Sequence, residues 1–153
     1  MKQADSEIES ASWGAGIIEA VGGLRLPLGK YAVSGGCCLE IHGLRKAEDI
    51  DIIALPEIKD LFIRKGFVNN HPEKPENYFK GNFEVKFNWD FGFYSRPIEE
   101  VIREAEIIQG IPFVTLEEIL RLKRTWRREK DIQDIKLIEE YLKKNTAEPF
   151  KKN

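Results

Sequence analysis

The chain has 153 residues, 42% of them hydrophobic and 33% charged, which suits one globular domain and excludes a disordered polymer. No apolar run approaches the roughly 20 residues of a membrane-spanning helix, and a formal net charge of −2 argues against a generally basic nucleic-acid binder. Two adjacent cysteines, Cys37 and Cys38, and two histidines provide neither a disulfide framework nor a zinc spacing.

The first ten residues, MKQADSEIES, are polar and acidic, unlike a signal peptide, so a cytoplasmic location without membrane attachment is expected. Residues 6–20 then read as a first helix, weakened by Gly14 and Gly16. GGLRLPLGK reads as a turn-rich connection. YAVS is a short apolar strand that ends at Gly35 and Gly36, and CCLEIHG is a short helix closed by Gly43. Residues 49–55 form a strand. Pro56 opens a helix that ends at Gly66, and residues 67–70 suggest another strand. HPEKPEN is a loop broken by Pro72 and Pro75. YFKGNFEVKFNW alternates aromatic and branched residues around Gly81 and Asn82, which reads as a hairpin. Residues 97–105 are helical, and residues 106–114 hold one or two strands around Gly110 and Pro112. Thr115 and Glu118 make a capping box with Val114 and Ile119 as its staple, opening a helix to about residue 128. KDIQDIKLIEEYLKK is a second helix, and continuity and a kink between the two both remain open. A mixed sheet followed by a helical end is an α+β pattern. We read residues 1–153 as a single domain, with a core over about 28–114 and C-terminal helices over about 115–145.

The stretch SGGCCLEIHGLRKAEDIDI, residues 34–52, carries the chemistry. Residues i and i+2 of a strand share a face, so Asp49 and Asp51 project together, roughly 7 Å apart. Two such carboxylates repel unless a cation lies between them. Mg²⁺ favours a few carboxylates together with substrate phosphate oxygens. The structural alternative is that Asp49 caps the strand and pairs with Arg45 or Lys46, leaving Asp51 on an exposed face. Upstream, Ser34, Gly35 and Gly36 lie between a strand and a helix. Glycines there let the backbone approach a ligand, and the helix start offers free N–H groups to an anion. An ordinary strand-to-helix turn is the competing account.

SGG, a short helix and EDIDI at this spacing resemble the nucleotidyltransferase superfamily of the DNA polymerase β type, in particular its small stand-alone members and the nucleotidyltransferase toxins of abortive-infection systems. The resemblance extends over the strand–SGG–helix–DID core, the later hairpin and a C-terminal Lys, Arg, KDIQDI pattern. It implies a mixed β-sheet nucleotidyltransferase core flanked by helices. It assigns Ser34, Gly35 and Gly36 to triphosphate binding and Asp49 and Asp51 to two Mg²⁺ ions. It also implies a basic residue at Arg45 that meets phosphate. A third carboxylate is expected on the strand FEVKFNW. One alignment places Glu84 in that metal position, and a shift of two residues places Lys86 there, which would mean lost or altered catalysis. Asp90 has the wrong parity unless a bulge re-aims it. The implied reaction moves a nucleoside monophosphate from a nucleoside triphosphate to a hydroxyl acceptor, which could be RNA, protein or a small molecule. The rival reading is a catalytically degenerate nucleotide-binding or protein-interaction module, such as a toxin–antitoxin component with a protein partner.

In the C-terminal helices, Leu116, Ile119 and Leu120 define an apolar stripe that also takes in Lys123, with Arg127 a turn further on. Ile132, Ile135, Ile138 and Leu142 form the stripe of the second helix, with Asp131 near its centre and Asp134 at its edge. Inward-facing charges demand partners. One reading is a Lys123 or Arg127 pair with Asp131 tying the helices together. The other lines the cleft, with Lys123 meeting the triphosphate and the acids fixing it or an arginine. Arg121, Arg124 and Arg128 are expected together on another face, solvated or against nucleic-acid phosphates. Trp89, Trp126, Cys37 and Cys38 read as core, and His42 and His71 have no assigned role.

Overall fold

The computed structural model describes residues 13–151; the first seven residues of the helix expected over 6–20 lie outside them. The class is α+β. The described elements are α1 (Ala15–Leu24), β1 (Tyr31–Ser34), α2 (Gly36–Ile41), β2 (Ile50–Ala54), a 3₁₀ turn (Pro56–Ile58), α3 (Lys59–Arg64), β3 (Tyr78–Lys80) and β4 (Phe83–Lys86). They continue with β5 (Trp89–Asp90), β6 (Ser95–Arg96), α4 (Ile98–Arg103), β7 (Glu106–Ile108), β8 (Ile111–Phe113), α5 (Leu116–Trp126) and α6 (Glu129–Lys151). Six strands form one mixed sheet in the order β3-β4-β2-β1-β8-β7, and β5 pairs with β6 in a separate ribbon. The sequence expectation of a mixed sheet with a helical end is met.

The central pair, β1 and β2, is antiparallel, while β4 runs parallel to β2 on one side and β8 runs parallel to β1 on the other. Strands buried on both faces read as continuous apolar runs, and Tyr31, Ala32 and Val33 of β1 and Ile52, Ile53 and Ala54 of β2 are all buried. One cluster of buried apolar residues joins α1, the sheet, α4, α5 and Ile138 of α6.

Two local expectations change, at Gly22 and Gly23 and at residues 67–70, and two further points become defined, at Pro112 and between α5 and α6. The predicted turn at Gly22 and Gly23 is the last stretch of α1. Both glycines face solvent, while Ile17, Val21 and Leu24, at i, i+4 and i+7, are buried. That packing outweighs a helix cost of about 1 kcal/mol for each glycine. The strand expected over residues 67–70 is a single bridge between Val68 and Phe79. Pro112 lies inside the sheet, where its missing N–H would break a long ladder. It is accommodated because β1 meets β8 only at Val33 and Phe113, continued by the Val114 N–H to the Val33 carbonyl at 2.8 Å. Finally, α5 and α6 are separate helices. Arg127 adopts φ 48° and donates its N–H to the Lys123 carbonyl. The Asp131 carboxylate then accepts the Arg128 N–H at 3.1 Å, capping the start of α6.

The inward face of α6 is also rotated from the expected stripe. Ile132 is 47% exposed, whereas Asp131, Asp134 and Ile138 are buried. Cationic partners on neighbouring elements hold the two aspartates inward, and Ile132 is turned out as a consequence.

Candidate active site

Antiparallel pairing of β1 and β2 sets Ser34 opposite Asp51. Parallel pairing of β2 and β4 sets Asp51 opposite Glu84 and Ile53 opposite Lys86. Register therefore distinguishes the two alignments left open by sequence. Glu84 is the neighbour of Asp51, and Lys86 lies on the same face two residues, or roughly 6.6 Å, further along the strand. Asp49 lies on the bend just before β2, exposed, so it is not a strand residue as expected. Among the described residues its carboxylate has no ion pair. Neither Arg45 nor Lys46 reaches it: Arg45 pairs with Asp134, and Lys46 lies near Glu40.

The glycine turn is wedged between opposite charges. Gly35 has φ 66°, a conformation that favours glycine, and a Cβ there would collide with Oδ2 of Asp51. A Cβ on Gly36 would lie 2.9 Å from Nη1 of Arg45. Any larger residue at either position would push the Asp51 carboxylate or the Arg45 guanidinium away. Ser34, Gly35, Gly36, Arg45, Asp49, Asp51 and Glu84 are thus gathered at one end of the central strands.

Asp51 is the electrostatic focus. Burial, the charge of Glu84 and the nearby Asp49 push its carboxyl up from 3.8 to about 6, against the opposing pull of Lys74 and Lys86. The Glu84 carboxylate is engaged by Lys74 Nζ at 3.2 Å and by Asn77 Nδ2 at 2.6 Å. Both donors come from the loop before β3, and no pattern in the sequence marks them. Cys37 donates its thiol to the Asp49 carbonyl at 3.3 Å. Burial and Asp51 push that thiol up to about 12, so it is an inert filler, as is the fully buried Cys38. Lys86 has its ammonium 3.7 Å from the centre of the Phe91 ring, and burial lowers its basicity.

Three carboxylates on adjoining elements supply hard oxygen donors, the chemistry that Mg²⁺ takes and soft metals do not. The partial charge repulsion at Asp51 is what a cation would relieve. As the side chains stand, no three His, Cys, Asp or Glu residues among those described are grouped to hold a metal. Glu84 would have to exchange Lys74 and Asn77 for it.

Behind this site, the C-terminal helices form a charged network. Arg45 binds Asp134 through Nε at 2.7 Å and Nη2 at 2.8 Å. Lys123 Nζ lies 3.0 Å from Asp134 and 3.1 Å from Asp131. Lys123 is therefore held in ion pairs that tie α5 to α6, and it reaches the glycine turn only through Asp134 and Arg45. The second partner of Asp131 is Arg128, not Arg127, because Arg127 is turned outward by its left-handed backbone. Burial opposes ionisation of Asp131, but Arg128 and Lys123 outweigh it and hold the carboxyl at about 2. The three arginines expected on one face are dispersed: Arg121 binds Glu118, Arg124 binds Glu139 and Arg128 binds Asp131. Arg121 and Arg128 each take a carboxylate three residues away, while Glu139, the partner of Arg124, lies 15 residues away on α6. Replacing Asp134 with asparagine keeps the shape but removes the charge that holds Arg45 and Lys123. We expect a loss of about 1–3 kcal/mol in urea denaturation. Lys46→Ala, at an exposed ammonium 3.8 Å from Glu40, is the control, with a change within about 0.5 kcal/mol.

Comparison with protein-family models, curated proteins and solved structures finds no match to this chain. Among the described residues no helix is long and apolar enough to cross a membrane.

Proposed function

We propose that the chain is a Mg²⁺-dependent nucleotidyltransferase that moves a nucleoside monophosphate from a nucleoside triphosphate to a hydroxyl acceptor. The observation that carries this reading is the register that sets Glu84 beside Asp51, next to a glycine turn that presses on both Asp51 and Arg45. In this reading Asp49, Asp51 and Glu84 would hold the metal, which would neutralise phosphate charge and make the attacking hydroxyl easier to deprotonate. Ser34 and the backbone of Gly35 and Gly36 cradle the triphosphate. Arg45, fixed by Asp134, presents its remaining edge to a phosphate oxygen. Glu84 or Asp51 accepts the proton of the acceptor hydroxyl as it attacks the α-phosphate in line, and pyrophosphate departs. Lys123 acts at one remove, by holding Asp134.

The alternative is a non-catalytic nucleotide-binding or protein-interaction module, such as one half of a toxin–antitoxin pair. The engagement of Glu84 with Lys74 and Asn77 favours it. Calorimetric titration of a non-hydrolysable nucleoside triphosphate, with and without Mg²⁺, separates the two. The nucleotidyltransferase reading expects binding that requires Mg²⁺ and weakens at least tenfold in Glu84→Gln. Absence of binding under both conditions would sink it, and binding indifferent to Mg²⁺ would favour the module.

A further inference from the structure

The ribbon of β5 and β6 carries a tight loop over residues 91–94, shaped by Gly92 at φ 83° and by the Gly92 N–H donated to Asp90 at 2.9 Å. The loop brings Phe91 and Phe93 against Trp126, the last residue of α5. Ring centres lie 5.5 Å apart for Phe91 and Trp126, 5.4 Å for Phe93 and Trp126, and 6.4 Å for the two phenylalanines. Trp126, expected in the core, is only half-buried. Phe91 is anchored edge-on against the buried Trp89 at 5.1 Å. Phe93 is not anchored in this way and remains 48% exposed.

Cations border these rings. The Lys86 ammonium lies over Phe91, and the Arg128 guanidinium lies 3.3 Å from the Trp126 ring centre. The charge of Arg128 is held by Asp131, which leaves it as a stacking plane. Among the described residues, Lys86, Arg127 and Lys130 have no ion pair. Rings flanked by the unpaired Lys86 ammonium and the stacked Arg128 guanidinium, with the exposed Arg127 next in the chain, suit a ligand with flat faces and negative charge. Lys86 also connects the cluster to the candidate active site, because it shares a strand face with Glu84.

We propose that Phe91, Phe93 and Trp126 form a stacking platform for single-stranded nucleic acid. A base lies on the open ring of Phe93, and Lys86 and Arg127 meet the adjoining phosphates. Under the nucleotidyltransferase reading, this placement narrows the acceptor to the end of a nucleic-acid strand. The binding itself does not depend on catalysis.

The test is fluorescence anisotropy with a labelled single-stranded RNA of mixed sequence, in chelator and without nucleotide. Wild type is expected to bind, with Phe93→Ala weakening affinity by roughly 5- to 150-fold and Phe93→Tyr restoring it. Lys86→Ala should reduce the slope of log affinity against log salt by about 0.7. The same sequence as a duplex should bind more weakly, since its bases cannot be splayed onto a ring. Phe93 is a surface residue, so its loss leaves the fold intact, which the circular dichroism spectrum checks. No binding by wild type, equal affinity for single strand and duplex, or indifference to Phe93→Ala would each overturn the proposal. The assay contains neither Mg²⁺ nor nucleotide, so absence of RNA binding overturns the platform alone, whereas the calorimetric titration of nucleoside triphosphate with Mg²⁺ tests the nucleotidyltransferase reading alone.

Discussion

At pH 7.5 in chelator, Asp51→Asn is expected to stabilise the chain by about 1–3 kcal/mol, and at the same time to abolish Mg²⁺-dependent nucleotide binding. Burial and the neighbouring charges of Glu84 and Asp49 raise the Asp51 carboxyl from 3.8 to about 6. The fold therefore prefers the protonated acid. Any advantage of that protonated form is complete below about pH 4 and is lost as pH rises through about 6. Ionisation at neutral pH costs up to about 3 kcal/mol, from roughly 1.4 kcal/mol per tenfold change in proton affinity. Asparagine carries no charge and avoids that cost, so its benefit should be near zero at pH 4 and full above pH 7. Chemical denaturation at both pH values measures it. Added Mg²⁺ should stabilise wild type and leave the variant unchanged. An equal change at the two pH values would mean that charge is not the cause. A variant less stable than wild type at pH 7.5 would show that Asp51 is a structural residue, and the proposed metal site would lose its centre.

Glu118→Ala is expected to destabilise the protein by about 3–5 kcal/mol, the range for leaving a buried charge network without its anion. Glu118 is 1% exposed. It accepts from Trp89 Nε1 at 2.7 Å, Tyr94 at 2.8 Å, Arg96 at 2.6 Å and Arg121 at 2.7 Å. Three of these bonds, from Trp89, Tyr94 and Arg96, attach the β5–β6 ribbon to α5 and thereby hold the aromatic loop in place, and the fourth, from Arg121, lies within α5. Truncation strands the buried Trp89 N–H and removes the carboxylate deepest beneath Arg96. Burial opposes ionisation of Glu118, but its four donors outweigh it and hold the carboxyl below its ordinary value of 4.5. A depressed carboxyl contributes stability above about pH 4.5 and loses it as pH falls through its folded value. The gap between wild type and variant should therefore narrow in acid. Thermal unfolding at pH 7 should show a drop of about 6–20 °C. Glu118→Gln, which keeps an acceptor oxygen but no charge, should fall between the two. A drop below about 2 °C for Glu118→Ala would mean that the ribbon is held by its aromatic packing alone.

Residues close in the chain made most of the fold legible. Apolar runs marked β1 and β2, alternation around Gly81 and Asn82 marked the β3–β4 hairpin, and Thr115 with its acceptor role toward the Glu118 N–H marked the start of α5. Half of the expected capping box formed: the Glu118 side chain, which should have turned back toward Thr115, is taken by Trp89, Tyr94, Arg96 and Arg121 instead. Arg121 is one turn along the same helix, but Trp89, Tyr94 and Arg96 lie 22 to 29 residues away, beyond the reach of any local pattern.

The sequence by itself determined the α+β class, the pair of aspartates near the central strand, the glycine turn before them and the inward direction of Lys123 and Asp131. Each follows from spacing within one element or across one turn. Only the tertiary structure decided that Glu84, and not Lys86, stands beside Asp51, because strand register is a relation between two chains of backbone that neither strand encodes alone. It also decided that Arg45 pairs with Asp134, 89 residues away, and that Lys74 and Asn77 engage Glu84. Charged side chains find partners by distance in space, and at these separations the sequence leaves that distance unspecified.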